Sequence, residues 1–260
     1  MNLPIYIADA FTSRLFGGNP AAVVPLENWL PDTRMQEIAM ENNLSETVFF
    51  VPEGNGFRIR WFTPTVEVKL CGHATLASAH ILFTELGYMS NTILFESLSG
   101  PLKVTRSENG ITLDFPASEP VPTEPPADLF AGLGVSGGQV FKSSFDYMVL
   151  LESEAAVRAL RPDFGTLAKV PARGVICTAR GEEADFVSRC FYPASGINED
   201  PVTGSAHTLM VPFWAGQLNK TRLEARQLSA RGGILHCSLE ADRVLMTGNA
   251  VTYLKGTITL

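Results

Sequence analysis

The stretch from Gly72 to Phe83 limits what this chain can become. Ala74, Leu76, Ala77, Ala79, Ile81, Leu82 and Phe83 leave no polar face, and Gly87 supplies the flexible backbone that suits a helix end. A helix apolar on every side has to be enclosed by the rest of the fold. Its start, Gly72-His73, presents unpaired backbone N–H groups and the positive end of the helix dipole, next to Cys71. Such a start is suited to holding an anion. The chain then repeats the device. Gly204-Ser205-Ala206-His207 opens a second apolar run, Leu209, Met210, Val211, Phe213, Trp214 and Ala215, in which Pro212 predicts a kink or a shortened helix. Arg60-Trp61-Phe62-Thr63-Pro64 before the first run is echoed by Arg189-Cys190-Phe191-Tyr192-Pro193, and Leu98-Ser99 by Leu228-Ser229. The offsets from Arg60 to Arg189, Gly72 to Gly204 and Ser99 to Ser229 are 129, 132 and 130 residues, about half the chain. One such match is chance; three in register indicate a duplicated unit.

With 260 residues the chain can bury a large core and suits two domains. Hydrophobic residues make up 45% and charged residues 18%, a globular composition. The net charge of −7 and the lack of a dense basic run exclude nucleic acid as the expected partner. They also mean that an anionic substrate has to be captured locally rather than steered by the whole surface. Met1-Asn2-Leu3-Pro4 lacks a basic secretion start, no apolar run is of bilayer length, and no membrane role is expected. Cys71, Cys177, Cys190 and Cys237 form no CxxC pair and are read as reduced thiols of a cytoplasmic protein. Cys71 and His73 with a distant His207 match no structural zinc pattern, so no metal is expected.

Strands are predicted near residues 3–9, 21–24, 47–51, 57–62, 93–96, 102–106 and 111–115, with Asn109-Gly110 as a hairpin turn. Asp32 is expected to cap a helix carrying Met35, Ile38 and Ala39 on one face. Pro116, Pro120, Pro122, Pro125 and Pro126 make a stiff, extended segment, which sets a boundary between domains 1–117 and 118–260. The second half continues with strands near 139–141, 147–151, 175–178 and 186–191, a short helix at 154–160, and further strands after the second apolar helix. The expected fold is α+β: two pseudo-symmetric domains, each a mostly antiparallel strand barrel wrapped around its apolar helix, with a cleft between them.

The chemistry is expected at the two helix starts. Ile197 to Ser205 reads as a loop that delivers Asp200 together with the Gly204 and Ser205 N–H groups. If the two starts face each other, they can hold a carboxylate and stabilise an enolate-like charge beside it, with neither metal nor organic cofactor. Such a site needs a proton carrier, and Glu46, Cys71, His73 and Asp200 are the candidates. Glu46 closes a polar patch and opens an apolar strand; half-burial there would raise its pKa above about 4.3, toward proton transfer at neutral pH. The plainer role is a local cap or ion pair. Cys71 can serve as a thiolate lowered by the helix start, or simply be a small buried side chain. His73 can donate to substrate or be a satisfied structural histidine. Asp200 can orient a partner or only stabilise its turn. His80 reads as structural, and Glu67 and Glu199 as solvent-side loop charges.

Asp9-Ala10-Phe11-Thr12, Gly18-Asn19-Pro20-Ala21, Asn43-Leu44-Ser45-Glu46-Thr47, Phe62-Thr63-Pro64, Cys71-Gly72-His73-Ala74-Thr75, the run from Glu199 to His207 and Gln227-Leu228-Ser229 span the chain. Taken together they resemble the phenazine-biosynthesis PhzF-like isomerase family, related in fold to diaminopimelate epimerase. The resemblance implies a metal- and cofactor-independent proton shift within a small carboxylate or amino-acid-like substrate, in a homodimer. It implies Glu46 as general acid/base, with His73, Asp200 and Ser205 touching substrate and Gly72 and Gly204 lending backbone N–H groups. The related racemases use two cysteines, one at each helix start; here only Cys71 stands at such a place, and Asp200 precedes the other. A two-thiol racemase is therefore disfavoured. A racemase or epimerase using Cys71, and a non-catalytic metabolite-binding protein on the same fold, are the alternatives.

Overall fold

A computed structural model describes all residues, Met1–Leu260. Two compact units arise, Met1–Phe115 together with Met246–Leu260, and Pro116–Leu245. In chain order the first part comprises β1 (Asn2–Ala10), β2 (Asn19–Pro25), α1 (Asp32–Asn42), β3 (Glu46–Glu53), β4 (Gly56–Phe62), β5 (Glu67–Val68), α2 (Gly72–Thr84), β6 (Thr92–Ser97), β7 (Gly100–Ser107) and β8 (Gly110–Pro116). There follow β9 (Val121–Pro122), α3 (Leu129–Leu133), β10 (Gln139–Lys142), β11 (Asp146–Leu150), α4 (Glu154–Ala159), α5 (Phe164–Leu167), β12 (Gly174–Arg180), β13 (Phe186–Tyr192) and β14 (Ile197–Asp200). The chain ends with α6 (Gly204–Leu218), β15 (Arg222–Gln227), β16 (Gly233–Glu240), β17 (Arg243–Gly248) and β18 (Ala250–Thr259). No helix is long and apolar enough to cross a membrane.

In the first unit most neighbouring strands are antiparallel, but β2 runs parallel to β3 and β4 parallel to β6. Parallel neighbours need a crossover connection; α1 supplies the first, and β5 with α2 the second. Helix α2 packs on β1, β2, β3 and β18. Helix α1 lays Met35, Ile38 and Ala39 against Leu3, Ile5, Ala22, Val24 and Phe49. With helices over both faces, β2 and β3 are buried almost throughout, so their sequences read as continuous apolar runs without alternation.

The second unit repeats this plan. β11 runs parallel to β12 and β13 parallel to β15. The first crossover carries α4 and α5, the second β14 and α6. Leu129 and Leu133 of α3, Val157 of α4 and Leu167 of α5 pack with Val149, Val187 and Phe191 in one apolar cluster. Helix α6 packs on β15 and β16.

The repeat extends to single interactions. Arg60 donates from Nε and Nη2 to the two Glu67 carboxylate oxygens at 2.7 and 2.8 Å, and Arg189 does the same to Glu199 at 2.7 and 2.9 Å. Each guanidinium lies 5.2 Å from a phenylalanine centroid, Phe62 and Phe191 respectively. Glu67 and Glu199 are thus strand residues in forked ion pairs, and not the solvent-side loop charges that spacing suggested. Ser99 Oγ donates to the Lys69 carbonyl at 2.9 Å and Ser229 Oγ to the Pro201 carbonyl at 2.8 Å. The echoed serines pin matching loops to the segments that lead into α2 and α6.

Four local expectations change. Residues 246–260 belong to the first unit, unlike the 118–260 division, because β18 pairs antiparallel with β1 from Asn2–Thr259 to Ala10–Ala250. The short strand β9, which follows β8, pairs with β10 in the same way. Asp32 is the first residue of α1, not its cap; Pro31 precedes it and Asp32 Oδ1 accepts from Arg60 at 2.8 Å. Pro212 lies inside α6 without shortening it. The Thr208 carbonyl, left without its usual i+4 donor, accepts the Ser118 N–H at 3.0 Å. Finally, residues 197–200 form β14 beside β13, so Asp200 stands on a strand opposite Cys190 rather than in a loop. His80 is structural as expected: its Nε2 lies 3.0 Å from Thr252 Oγ1, which donates to Glu85.

Candidate active site

The first unit gathers Asn19, Glu46, Cys71 and His73. Asn19 opens β2 and Glu46 opens β3, so the parallel pairing of these strands brings their starts together. Cys71 holds the N-cap position of α2 in an extended conformation, and no side chain caps that helix start. His73, in the first turn, is 3% exposed and Glu46 8%. His73 Nε2 lies 3.1 Å from Glu46 Oε2. Its Nδ1 lies 3.0 Å from the Asn19 amide nitrogen and 3.5 Å from Cys71 Sγ. An amide can turn either its donor or its acceptor toward Nδ1, so Asn19 suits both protonation states of the ring.

The electrostatics follow from burial and from the carboxylate. Burial alone would lower the pKa of His73, yet the charges and hydrogen bonds offered by Cys71 and Glu46 outweigh it and hold the imidazole well above its usual range. The Cys71 thiol is pushed up to about 11, first by burial and then by Glu46. Cys71 and Glu46 together hold the proton on His73. The raised thiol reverses the lowering that a helix start alone predicts for Cys71. In a Glu46→Gln variant the imidazole pKa of His73 should fall, since one of the two side chains that raise it against burial is lost. An NMR titration of the His73 ring in both proteins checks this; an unshifted titration would contradict the pairing.

Glu46, Cys71 and His73 each offer a ligand atom, all within 4.8 Å of one another. Three such donors can hold a zinc ion, but ligation requires the His73 and Cys71 protons to leave. The local electrostatics favour keeping both.

In the second unit Asp200 Oδ2 accepts from Thr203 Oγ1 at 2.5 Å. Thr203 is the N-cap residue of α6, and its hydroxyl, turned to Asp200, does not cap the helix. Gln227 completes the turn, accepting the Thr203 N–H at 2.9 Å and donating to the Asp200 carbonyl at 2.6 Å. The Gly204 and Ser205 end of α6 thus remains uncapped by any side chain. His207 Nδ1 donates to the Thr203 carbonyl at 2.8 Å, and burial lowers its pKa to about 4, so it is a neutral structural residue. Arg173 Nη2 donates to Ser205 Oγ at 3.1 Å, and the same guanidinium forks onto the buried Asp146 carboxylate. Sequence reasoning passed over Asn19, Asp146 and Arg173 as site residues. Asn19 had a signal in Gly18-Asn19-Pro20; Asp146, at the start of β11, and Arg173, in the bend before β12, stand at no recurrent spacing and had none.

Residues 8–256 match the model of the family described as phenazine biosynthesis-like protein, PhzC–PhzF. The chain belongs to this family. A Pseudomonas aeruginosa relative named as an uncharacterized isomerase is 54% identical over the full length of both chains. A crystal structure of a PhzF family protein from Enterococcus faecalis, 46% identical, covers all of both chains with a TM-score of 0.96. A hydroxyproline epimerase from Agrobacterium vitis, crystallised with trans-4-hydroxy-L-proline, shares the fold at 10% identity, with a TM-score of 0.64 over 99% of this chain and 92% of its own. The protein is an isomerase of the PhzC–PhzF family with an α+β, sheet-rich fold.

Proposed function

We propose that this isomerase shifts a proton within a small carboxylate or amino-acid-like substrate, with Glu46 as the general acid/base and with no metal or organic cofactor. The observation that carries the reading is the buried Glu46–His73 pair at the uncapped start of α2, 3.1 Å apart. A carboxylate in that position can take a proton from carbon and return it to another carbon. The protonated His73 ring and the Gly72 N–H at the positive helix end oppose the negative charge that develops on the substrate meanwhile. In this reading Asp200, Gly204 and Ser205 also bind substrate, and the strands of each unit wrap its apolar helix as a barrel. The protein acts as a cytoplasmic homodimer.

The test is wash-in of solvent deuterium at a carbon-bound position, read by mass spectrometry over a panel of small carboxylates and amino acids. Exchange that depends on Glu46 supports the reading. Ligand binding without any exchange would mean a metabolite-binding protein instead. A racemase built on Cys71 is separated by a second variant. With its thiol pushed up to about 11, Cys71 is a poor base at neutral pH, so Cys71→Ser should lower turnover by less than about tenfold. Loss of nearly all turnover in that variant would assign the proton transfer to the thiol.

A further inference from the structure

Three side chains share the two nitrogens of the His73 ring. Nε2 faces Glu46 Oε2 at 3.1 Å. Nδ1 has two neighbours, the Asn19 amide at 3.0 Å and Cys71 Sγ at 3.5 Å. A ring nitrogen carries one proton or one lone pair, so it serves one of the two well. An amide is a strong donor and acceptor and a thiol a weak one, and the shorter contact is also the amide's. The backbone holds Asn19 at that place. Asn19 is fully buried and stands opposite Ala10 in the β1–β2 pairing. Gly18 before it has a φ of +60° and leaves no room for a Cβ against the Ala10 carbonyl oxygen, so only glycine suits this approach.

Cys71 and Glu46 are the titratable groups that act on the ring, and both draw its proton affinity up. A histidine between a thiol and a carboxylate is an arrangement suited to thiol chemistry, in which one ring nitrogen pairs with sulfur and a third group orients the ring. Here an amide stands on the nitrogen that such a pair needs.

We propose that Asn19 is a positioning residue that reserves Nδ1 of His73 for its own amide, keeps Cys71 a thiol, and thereby commits the site to the Glu46 carboxylate rather than to the sulfur. The inference rests on the reading of Glu46 as the acid/base, and deepens it by naming the group that withholds the thiol. With His73 protonated, the Nδ1–H is given to the Asn19 amide oxygen. Without that oxygen, the same N–H turns to Sγ. When the thiol then loses its proton to water, the thiolate is held by the N–H bond and by the positive ring.

The test uses the full chain without substrate and two substitutions of similar size. Asn19→Leu removes the amide. Asn19→Asp keeps an acceptor on Nδ1 and adds a negative charge that opposes a thiolate. The readouts are the ultraviolet absorbance of the thiolate in a pH series and the rate of alkylation by iodoacetamide, in which Sγ bonds to carbon and iodide leaves with its electron pair. In the parent, Cys71 should ionise only toward its raised value of about 11. In Asn19→Leu the thiolate should form at lower pH, and alkylation at neutral pH should be at least about tenfold faster. Adding Cys71→Ser to Asn19→Leu should abolish the gain. Asn19→Asp should be no faster than the parent. In the unmutated protein, the ¹⁵N signal of the Asn19 side-chain amide should follow the titration of the His73 ring. Equal alkylation of Cys71 in parent and Asn19→Leu, an equal gain in Leu and Asp variants, or an Asn19 signal that ignores the ring overturns the proposal. The thiol is measured apart from solvent exchange, so failure here leaves the isomerase reading intact, and loss of the Glu46 reading leaves the thiol measurements unchanged.

Discussion

Glu46→Gln should reduce solvent deuterium exchange and turnover by about 10²- to 10⁴-fold, the range of a positioned general acid/base. Glutamine keeps the size of the side chain and its reach to His73, so the folded structure should persist while the proton acceptor is lost. The variant also removes one of the two side chains that hold His73 above its usual range. A raised folded-state pKa contributes stability that is fully present below the unfolded value, near 6.5, and is lost as pH rises through the folded value. The stability gap between the parent and Glu46→Gln should therefore be widest in mildly acidic solution and narrow as the pH climbs. Thermal melts across a pH series read the gap, and exchange assays read the activity. Turnover within a few-fold of the parent would remove Glu46 from the chemistry, and a gap that widens with rising pH would contradict the ion pair.

The largest stability effect is expected at Gly174. This residue opens β12 as Glu46 opens β3, each at the start of the matching parallel pair. The duplicated plan thus offers a second place for a proton carrier, and the space is already taken. A Cβ at Gly174 would lie 2.1 and 2.2 Å from the Tyr192 ring atoms Cδ1 and Cε1, and 2.9 Å from the Phe191 carbonyl oxygen. Tyr192 is buried and sits beside Arg173, so it has little room to yield. Gly174→Ala should cost about 3 kcal/mol by overpacking and lower the melting temperature by roughly 6–12 °C. It should also disturb the Arg173 guanidinium, which lies over the Tyr192 ring. Gly216→Ala is the control. It lies inside α6 with nothing near its missing Cβ, so alanine there should be neutral or stabilise by about 0.5–1 kcal/mol. An unchanged melting temperature for Gly174→Ala would show that the tyrosine moves aside freely. The Tyr192 ring thus fills, in the second unit, the space beside the position that matches Glu46.

Several features were legible from local pattern. Full apolarity of α2 and α6 is a property of one turn after another, and it already required each to be enclosed. The spacing between Arg60 and Arg189 marked the duplication, which the structure extends to forked ion pairs and matching serine bonds. Glu46 and His73 came to notice as a carboxylate at a strand entry and a histidine at a helix start, and the structure sets them 3.1 Å apart. The family resemblance lay in the same short motifs.

Other features are long-range and left no mark in any short stretch. Which strand accepts the C-terminal segment depends on whose edge is open, and β18 closes on β1 across nearly the whole chain length. The Thr208 carbonyl freed by Pro212 is satisfied by Ser118, some ninety residues away in sequence. The carboxylate behind Arg173 comes from Asp146, at the far end of a crossover that carries two helices. Sequence alone determined which segments must be buried and which groups are candidates to move a proton, because periodicity and side-chain chemistry are carried by neighbouring residues. Tertiary structure decided which charges meet and which protons stay, because ion pairing and desolvation depend on groups that only strand pairing and helix packing bring together.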